Sequence, residues 1–435
     1  MRNSKKNIVI LGAGFGGITA ALKLAKKIRR LANEYEIILI DRHHHQLITP
    51  NLYEIASIPK EYVPDTPLKS SILIPVSDII EKRPITFICD EVNGLKQAEK
   101  KIMLEKTGEL PFEFLVFALG SETNYFNIPG LREHSYPLKT FDDGARLRNK
   151  IEELVNTKDD LKIVVVGAGS SGVELAAEFV NFVCALKENI DSGKKVCSVR
   201  YLLIDASTDI LPGFEPWVVE KTKKRLKSLG VEIKTNTTIT SVNSDSFSCQ
   251  NNKKEFYDIL IWTGGVKGPE ILKNLGLPLS QKGSAIINEY LQIQEQDNPK
   301  LPDLKPLSND RFRAIGQGHI FAIGDNSSLP NPKTGKPLIW NVPVAEAEGR
   351  LVAKNIIRAT KGKPLKKFMP MKKYPFILAV GKKYAIADLI FIKFSGFTGW
   401  LAKQLVELRY LLSILPPQKA LRIWLLAIRY YTSND

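Results

Sequence analysis

The sequence predicts an α/β protein: two Rossmann-like domains built on parallel sheets, followed by a C-terminal region of amphipathic helices. Apolar runs alternate with helical patterns from Asn7 onward, and the alternation restarts near Leu161. That is the sequence form of a parallel sheet covered on both faces. The two starts are also alike, since NIVILGAGFGGITAALKLA is answered by KIVVVGAGSSGVELAAEFV in order, spacing and apolar character, which marks an internal duplication. The last 60 residues change character, with leucine and aromatic runs broken by single cations. At 435 residues the chain exceeds one compact core.

Each start is G-x-G-x-x-G, directly after a β-branched strand and directly before a helical pattern. Gly12 and Gly167 allow the tight turn, Gly14 and Gly169 let the backbone approach a pyrophosphate, and Gly17 and Gly172 let helix pack on strand. The diphosphate then sits at the positive end of the helix. One such motif is a weak signal; the next strands complete it. Ile37–Ile40 ends in Asp41 and Leu202–Ile204 ends in Asp205, each a carboxylate placed to accept ribose hydroxyls. Asp205 also repels a 2′-phosphate and no Arg follows it at once, so NADH is expected rather than NADPH. The apolar strand Ile320–Ile323 ends in Gly324-Asp325. With two nucleotide sites already present, Asp325 reads as a partner for a flavin ribityl hydroxyl, the alternative being a helix or turn cap. FAD at the first turn and NADH at the second make the chain an oxidoreductase.

Charge and cysteines narrow the setting. The formal charge is +16, and from Lys361 to the end there are 14 Lys/Arg against 3 Asp/Glu, so most of the excess lies in the tail. Cys89, Cys184, Cys197 and Cys249 are far apart with no C-x-x-C, which reads as reduced thiols. The basic start MRNSKK runs straight into a strand, and no signal peptide is expected. No uncharged apolar stretch reaches the roughly 18 residues that span a bilayer. Membrane contact is therefore expected to be peripheral. Its candidates are Trp400 to Leu415, with Leu401, Leu405, Leu408, Leu411, Leu412 and Leu415 at helical spacing around Lys403, Glu407 and Arg409, and a second helix after Pro416-Pro417 with Leu421, Trp424, Leu425 and Ile428 on one side. Cations and Trp on such helices suit an anionic lipid interface; homodimerisation is the other use of the same faces. Nucleic acid is not expected, because no recognition motif accompanies the basic tail.

Taken together the residues resemble the two-dinucleotide-binding flavoproteins, and specifically the type II NADH:quinone oxidoreductases. The resemblance is carried by Asp41-Arg42 through Leu47, Thr49-Pro50, Leu52-Tyr53-Glu54 and Ala56, by Phe117-Ala118-Leu119-Gly120-Ser121 with Asn124, by Gly172-Val173-Glu174-Leu175-Ala176, Ile210-Leu211-Pro212, Trp262-Thr263-Gly264-Gly265, Ala322-Ile323-Gly324-Asp325 and Gly399-Trp400-Leu401. It implies an FAD site formed by Gly12, Gly14, Phe15, Gly16, Gly17, Asp41, Arg42, Thr49, Val92, Ala118, Gly120, Asp325 and Ala345. It implies an NADH site formed by Gly167, Gly169, Gly172, Glu174, Asp205, Gly264 and Gly265. It places Glu174 as the catalytic residue near nicotinamide and flavin, although by sequence alone Glu174 reads equally as a solvated acid early in a helix. The implied domains are FAD-binding over 1–135 and 301–375, NADH-binding over 136–300 and a membrane-surface region over 376–435, at the cytoplasmic face. The implied reaction passes hydride from NADH to flavin and two electrons to a quinone, without proton pumping.

This sequence departs from the family in two places. The helix that carries paired glutamines in the family reads Val342-Pro343-Val344-Ala345-Glu346-Ala347-Glu348-Gly349-Arg350. Glu346 and Arg350, assigned to the quinone pocket, can pair at i, i+4, which leaves the acceptor open. Alternatives are a sulfide:quinone oxidoreductase-like enzyme, disfavoured by the cysteine positions, and an NADH-binding redox sensor with another acceptor. The second departure is His43-His44-His45; neighbours on a strand point to opposite sides, so no metal site is expected.

Overall fold

A computed structural model of the chain describes residues 5–28, 33–188, 198–251, 253–294, 318–330, 335 and 337–433. Cys197 lies outside them, and so does nearly all of the stretch 294–317, whose Pro, Asn, Asp and Lys residues read in the sequence as a loop or insertion. The chain divides into two compact units, one of residues 1–46, 74–122 and 266–373, the other of residues 47–73, 123–265 and 374–435.

In the first unit five parallel strands lie in the order Ile320–Ala322, Phe114–Phe117, Lys6–Leu11, Tyr35–Asp41, Thr86–Cys89. Ile8, Val9, Ile10 and the Phe114–Phe117 strand are almost wholly inaccessible, as expected for strands covered on both faces. The helices Phe15–Lys27 and Val342–Ala359 pack so closely that a Cβ on Gly349 would come within 2.5 Å of the Gly16 carbonyl oxygen. In the second unit the order is Tyr136–Pro137, Ile259–Trp262, Asp160–Val166, Ser198–Ile204, Val231–Lys234, again all parallel. Each unit adds a three-stranded antiparallel sheet, over Val92–Pro111 in the first and Ile239–Phe256 in the second. The duplication seen in two glycine motifs thus extends to whole units. In both, the strand order turns back beside the central strand, and the glycine turn follows that strand's C-terminal end, the position at which open α/β sheets bind ligands.

The C-terminal region is part of the second unit's core. Leu378, Ala379, Val380 and Ile386, from the antiparallel sheet Phe376–Ala379, Ala385–Asp388 and Lys393–Gly396, join one buried cluster with Phe179 and Phe182 of the helix Ser170–Glu188. The helices Phe397–Ile414 and Pro417–Tyr431 follow, and Tyr431 is buried with its hydroxyl 3.2 Å from the Ser71 hydroxyl. No described helix is long and apolar enough to cross a membrane.

The expected leucine stripe is split. Leu411 and Leu415 are buried, while Leu401, Leu405 and Leu412 are exposed. The inward face of that helix carries Gly399, Lys403, Gln404, Glu407, Tyr410, Leu411 and Ile414. Periodicity alone assigns apolar positions to the protein side; here two ionisable residues turn inward and three leucines turn out. On the last helix Leu421 and Leu425 are exposed, whereas Trp424 is half-buried and donates its indole N–H to the Gln404 carbonyl at 2.8 Å.

Candidate functional site

The first glycine turn is shaped by steric exclusion. Gly12 has φ +106°, and a Cβ there would lie 2.2 Å from the Ala118 carbonyl oxygen; a Cβ on Gly17 would lie 1.9 Å from the Gly12 carbonyl oxygen. Around Gly14, by contrast, no atom lies within 4 Å of where a Cβ would stand. The turn is tight where strand meets helix and open where a ligand backbone approach is needed. Asp41 braces it: Oδ2 accepts the Ala13 N–H at 2.7 Å and Oδ1 accepts the His43 N–H at 2.8 Å. Each carboxylate oxygen keeps a second lone pair able to accept a further hydroxyl donor.

The second turn repeats this arrangement. Gly167 has φ +105° with the Gly264 backbone 2.6 Å from a built Cβ, Gly172 would meet the Gly167 carbonyl oxygen at 1.8 Å, and Gly169 is open. Asp205 Oδ2 accepts the Ala168 N–H at 2.6 Å and Oδ1 accepts the Ser207 N–H at 2.7 Å. Gly264 is pressed against the Trp262 ring and Gly265 against Phe126.

Asp325 does not cap the short helical turn Gly324–Asn326; that place falls to Ile323, with no side-chain bond. Its Oδ2 accepts the Ser121 hydroxyl at 3.0 Å, and the neighbouring Asn326, fully buried, accepts the Gly120 N–H at 3.3 Å and donates to the Phe117 carbonyl at 3.2 Å. Behind this loop stands Glu348, 2% exposed, accepting the Gly324 N–H at 2.6 Å. Burial raises its pKa to about 8, against the pull of the Gly324 N–H, with Asp325 adding to the rise. A buried acid in a helix carries no periodic signature, so sequence reasoning passed over Glu348 and Asn326. Glu346 and Arg350 do pair, at 3.3 Å, with Arg350 about half exposed. Arg42 faces Glu91 at 3.6 Å near the surface, Val92 is buried at the start of the antiparallel sheet, and His43 and His45 stack while His44 turns to Phe87. All the residues expected at the first site lie in the first unit except Thr49, which opens a short helical turn in the second.

Glu174 is not a solvated helix acid. Its Oε1 accepts the Ala379 N–H at 3.4 Å, and burial raises the carboxyl to about 8, opposed by the Lys403 charge and that N–H and reinforced by Glu54. Lys403 lies 3.4 Å from Glu54 with both side chains nearly enclosed, and its ammonium stands 5.1 Å over the Tyr53 ring. Desolvation lowers the Lys403 pKa, but Glu54, Glu407 and Glu174 outweigh it and the net shift is upward. One turn along, Glu407 accepts from the Asn51 amide at 2.9 Å, and burial moves its pKa up in spite of Lys403 and Asn51. Three carboxyls and one ammonium thus share one enclosed cluster within the second unit, an arrangement that can store and pass a proton. Tyr53-Glu54 was legible through the family resemblance. Lys403 and Glu407, expected between the leucines of an amphipathic membrane-surface helix, instead turn inward to Glu54 and Asn51.

Residues 6–298 match the family model described as pyridine nucleotide-disulphide oxidoreductase. The chain is 27% identical to the demethylphylloquinone reductase NdbB of Synechocystis over 418 residues, covering 94% of this chain and 93% of that protein. It is 27% identical to the type II NADH:quinone oxidoreductase of Staphylococcus aureus over 381 residues, 85% and 86% of the two. Among solved structures, NDH2 of Plasmodium falciparum in complex with NADH superposes with a TM-score of 0.80 at 18% identity over 99% of both chains. The sulfide:quinone oxidoreductase of Aquifex aeolicus gives 0.72 at 18% identity, over 98% of this chain and 92% of that one. At such identities the solved structures speak for the fold.

Proposed function

The chain belongs to the pyridine nucleotide-disulphide oxidoreductase family, and from that premise we propose that it is a type II NADH:quinone oxidoreductase. FAD bound at the first turn supplies the two-electron carrier between NADH and a quinone. The observation that carries this reading is the repeated pair of glycine turns, each braced by its own carboxylate, which gives one chain two separate dinucleotide sites. In this reading residues 1–135 and 301–375 form the FAD-binding domain, 136–300 the NADH-binding domain and 376–435 the membrane-surface region.

The first-turn residues with Asp325 hold the permanent cofactor, and the second turn with Asp205, Gly264 and Gly265 takes the passing NADH. Quinone reduction by NADH consumes one proton per turnover. The Glu174 carboxyl, protonated at neutral pH by virtue of its burial, holds and moves a proton beside the reacting groups. Glu346 and Arg350 form a polar wall of the acceptor pocket. The outward leucines and the exposed Arg409, Arg422 and Arg429 seat the protein peripherally on anionic lipid at the cytoplasmic face, where a lipid-soluble acceptor resides. No step moves protons across the membrane.

Stopped-flow mixing of the FAD-loaded protein with NADH, then with a short-chain quinone, tests the reaction. Bleaching of the flavin absorbance by NADH and its return with quinone are expected. Failure of NADH to bleach it overturns the proposal, and bleaching without return by quinone points to another acceptor.

A further inference from the structure

The hairpin between the strands Ala385–Asp388 and Lys393–Gly396 closes through Leu389, Ile390, Phe391 and Ile392. Hairpin loops ordinarily use Gly, Asn, Asp, Ser or Pro, which tolerate turn dihedrals and hydrogen-bond to water. This loop has none of them. Phe391 is 94% exposed and Ile392 63%, so the tip presents apolar surface and nothing polar from its side chains.

The backbone is also held in an unfavourable state. Ile390 has φ +77°, a left-handed conformation that β-branched residues rarely adopt. It is kept there from within: the fully buried Asp388 accepts the Ile390 N–H at 2.9 Å, and the Leu389 N–H donates to the Ile392 carbonyl at 3.0 Å. Lys393, at the foot of the loop, stands 3.9 Å from Asp388 and 3.2 Å from Glu215. The tip is a fixed feature of the sheet and not a frayed end.

We propose that Leu389–Ile392 is a lipid-inserting element distinct from the two C-terminal helices, with Phe391 and Ile392 entering the headgroup–acyl boundary of an anionic membrane. The inference rests on the membrane reading above and adds an element to it. Charge complementarity favours this occupant over a protein partner, since residues 374–435, the C-terminal part of the second unit, carry 8 Lys/Arg and 3 Asp/Glu. The same C-terminal module also turns Leu401, Leu405, Leu412, Leu421 and Leu425 outward, and isolated exposed apolar residues are ordinary whereas a concentration of them marks an interaction surface.

The experiment is co-sedimentation of the full-length FAD-loaded protein with mixed phosphatidylcholine–phosphatidylglycerol vesicles. It compares wild type, Phe391→Ser/Ile392→Ser, Leu405→Ser/Leu425→Ser, and Phe391→Trp as the conservative variant. The hairpin variant should partition about tenfold or more weakly, from the apolar transfer lost, while oxidising NADH with a water-soluble quinone at the wild-type rate; Phe391→Trp, which keeps an apolar ring at the tip, should bind as the wild type does. Wild-type partitioning of the hairpin variant, with loss in the helix variant, overturns the proposal and leaves the membrane reading standing. A wild type that does not sediment with vesicles overturns both. A wild-type dimer in solution that the hairpin variant dissociates makes the tip a protein contact and also overturns it.

Discussion

Asp205 has one task that the structure shows and a second in the proposed function. It braces the second glycine turn through the Ala168 and Ser207 N–H groups, and in the proposal its remaining lone pairs take a nucleotide ribose. A substitution to Arg would therefore remove the brace along with the charge, so the sharper test is Asp205→Asn, which keeps an acceptor and removes the charge that repels a 2′-phosphate. We expect the preference for NADH over NADPH, read as the ratio of the two kcat/KM values, to fall about tenfold. Unchanged ratios would count against the ribose role. Gly17 has a single task, and a harsher one: a Cβ there would overlap the Gly12 carbonyl. Gly17→Ala should cost on the order of 2 kcal/mol or more in unfolding free energy and lower FAD retention on gel filtration, whereas Gly14→Ala, with open space around it, should leave apo-protein stability nearly unchanged and weaken FAD binding only.

At the scale of elements, the glycine turns and the helix Phe397–Ile414 are opposite cases. A turn is legible because its requirements are local: which residue can take positive φ, which can approach a backbone, and which acid follows at the end of the next strand. Gly12, Gly14, Gly17 and Asp41, and their counterparts at Gly167, Gly169, Gly172 and Asp205, stand where those rules put them. The helix misleads because the 3.6 period reports that polar and apolar faces differ, not which of them meets solvent. Lys403 and Glu407 look inward because the segment Asn51–Glu54 and Glu174 supply partners from far along the chain, and long-range partners leave no trace in spacing. Glu348, beneath the Gly324 N–H, was hidden for the same reason. The inward pair gives its own prediction. Lys403→Met removes the cation from Glu54 and should lower stability by about 3–5 kcal/mol in urea unfolding, as for other broken buried pairs. Adding Glu54→Gln should recover much of that loss, since the uncompensated charge is then gone; strict additivity of the two changes would refute the coupling.

Among the described residues of the whole molecule, burial lifts one carboxyl in each unit to about 8, Glu348 in the first and Glu174 in the second. The ordinary value is 4.5 for both, so between 4.5 and about 8 the folded protein binds more protons than the unfolded chain. Stability then falls as pH rises through that window, by about 1.4 kcal/mol per pH unit for each proton held. Their contribution is complete below 4.5 and lost above about 8. On the acid side Asp90 acts in the reverse sense. Burial would raise its pKa, but the Thr107 hydroxyl and the N–H groups of Glu91, Thr107 and Lys106 outweigh this and bring it from 3.8 to about 2, so its contribution is complete above 3.8 and disappears as pH falls toward 2. Among these groups the stability maximum therefore falls near pH 4 to 5, below the neutral region where most proteins are most stable. Urea midpoints of the FAD-saturated protein between pH 4.5 and 8.5 should decline with pH, and Glu348→Gln and Glu174→Gln should each flatten the decline by about one proton's worth, additively, because the two sites lie in separate units. A wild-type profile that is level across this range, or one that neither substitution changes, would mean that both carboxyls are ionised at neutral pH. The proton store assigned to Glu174 would then have to be abandoned.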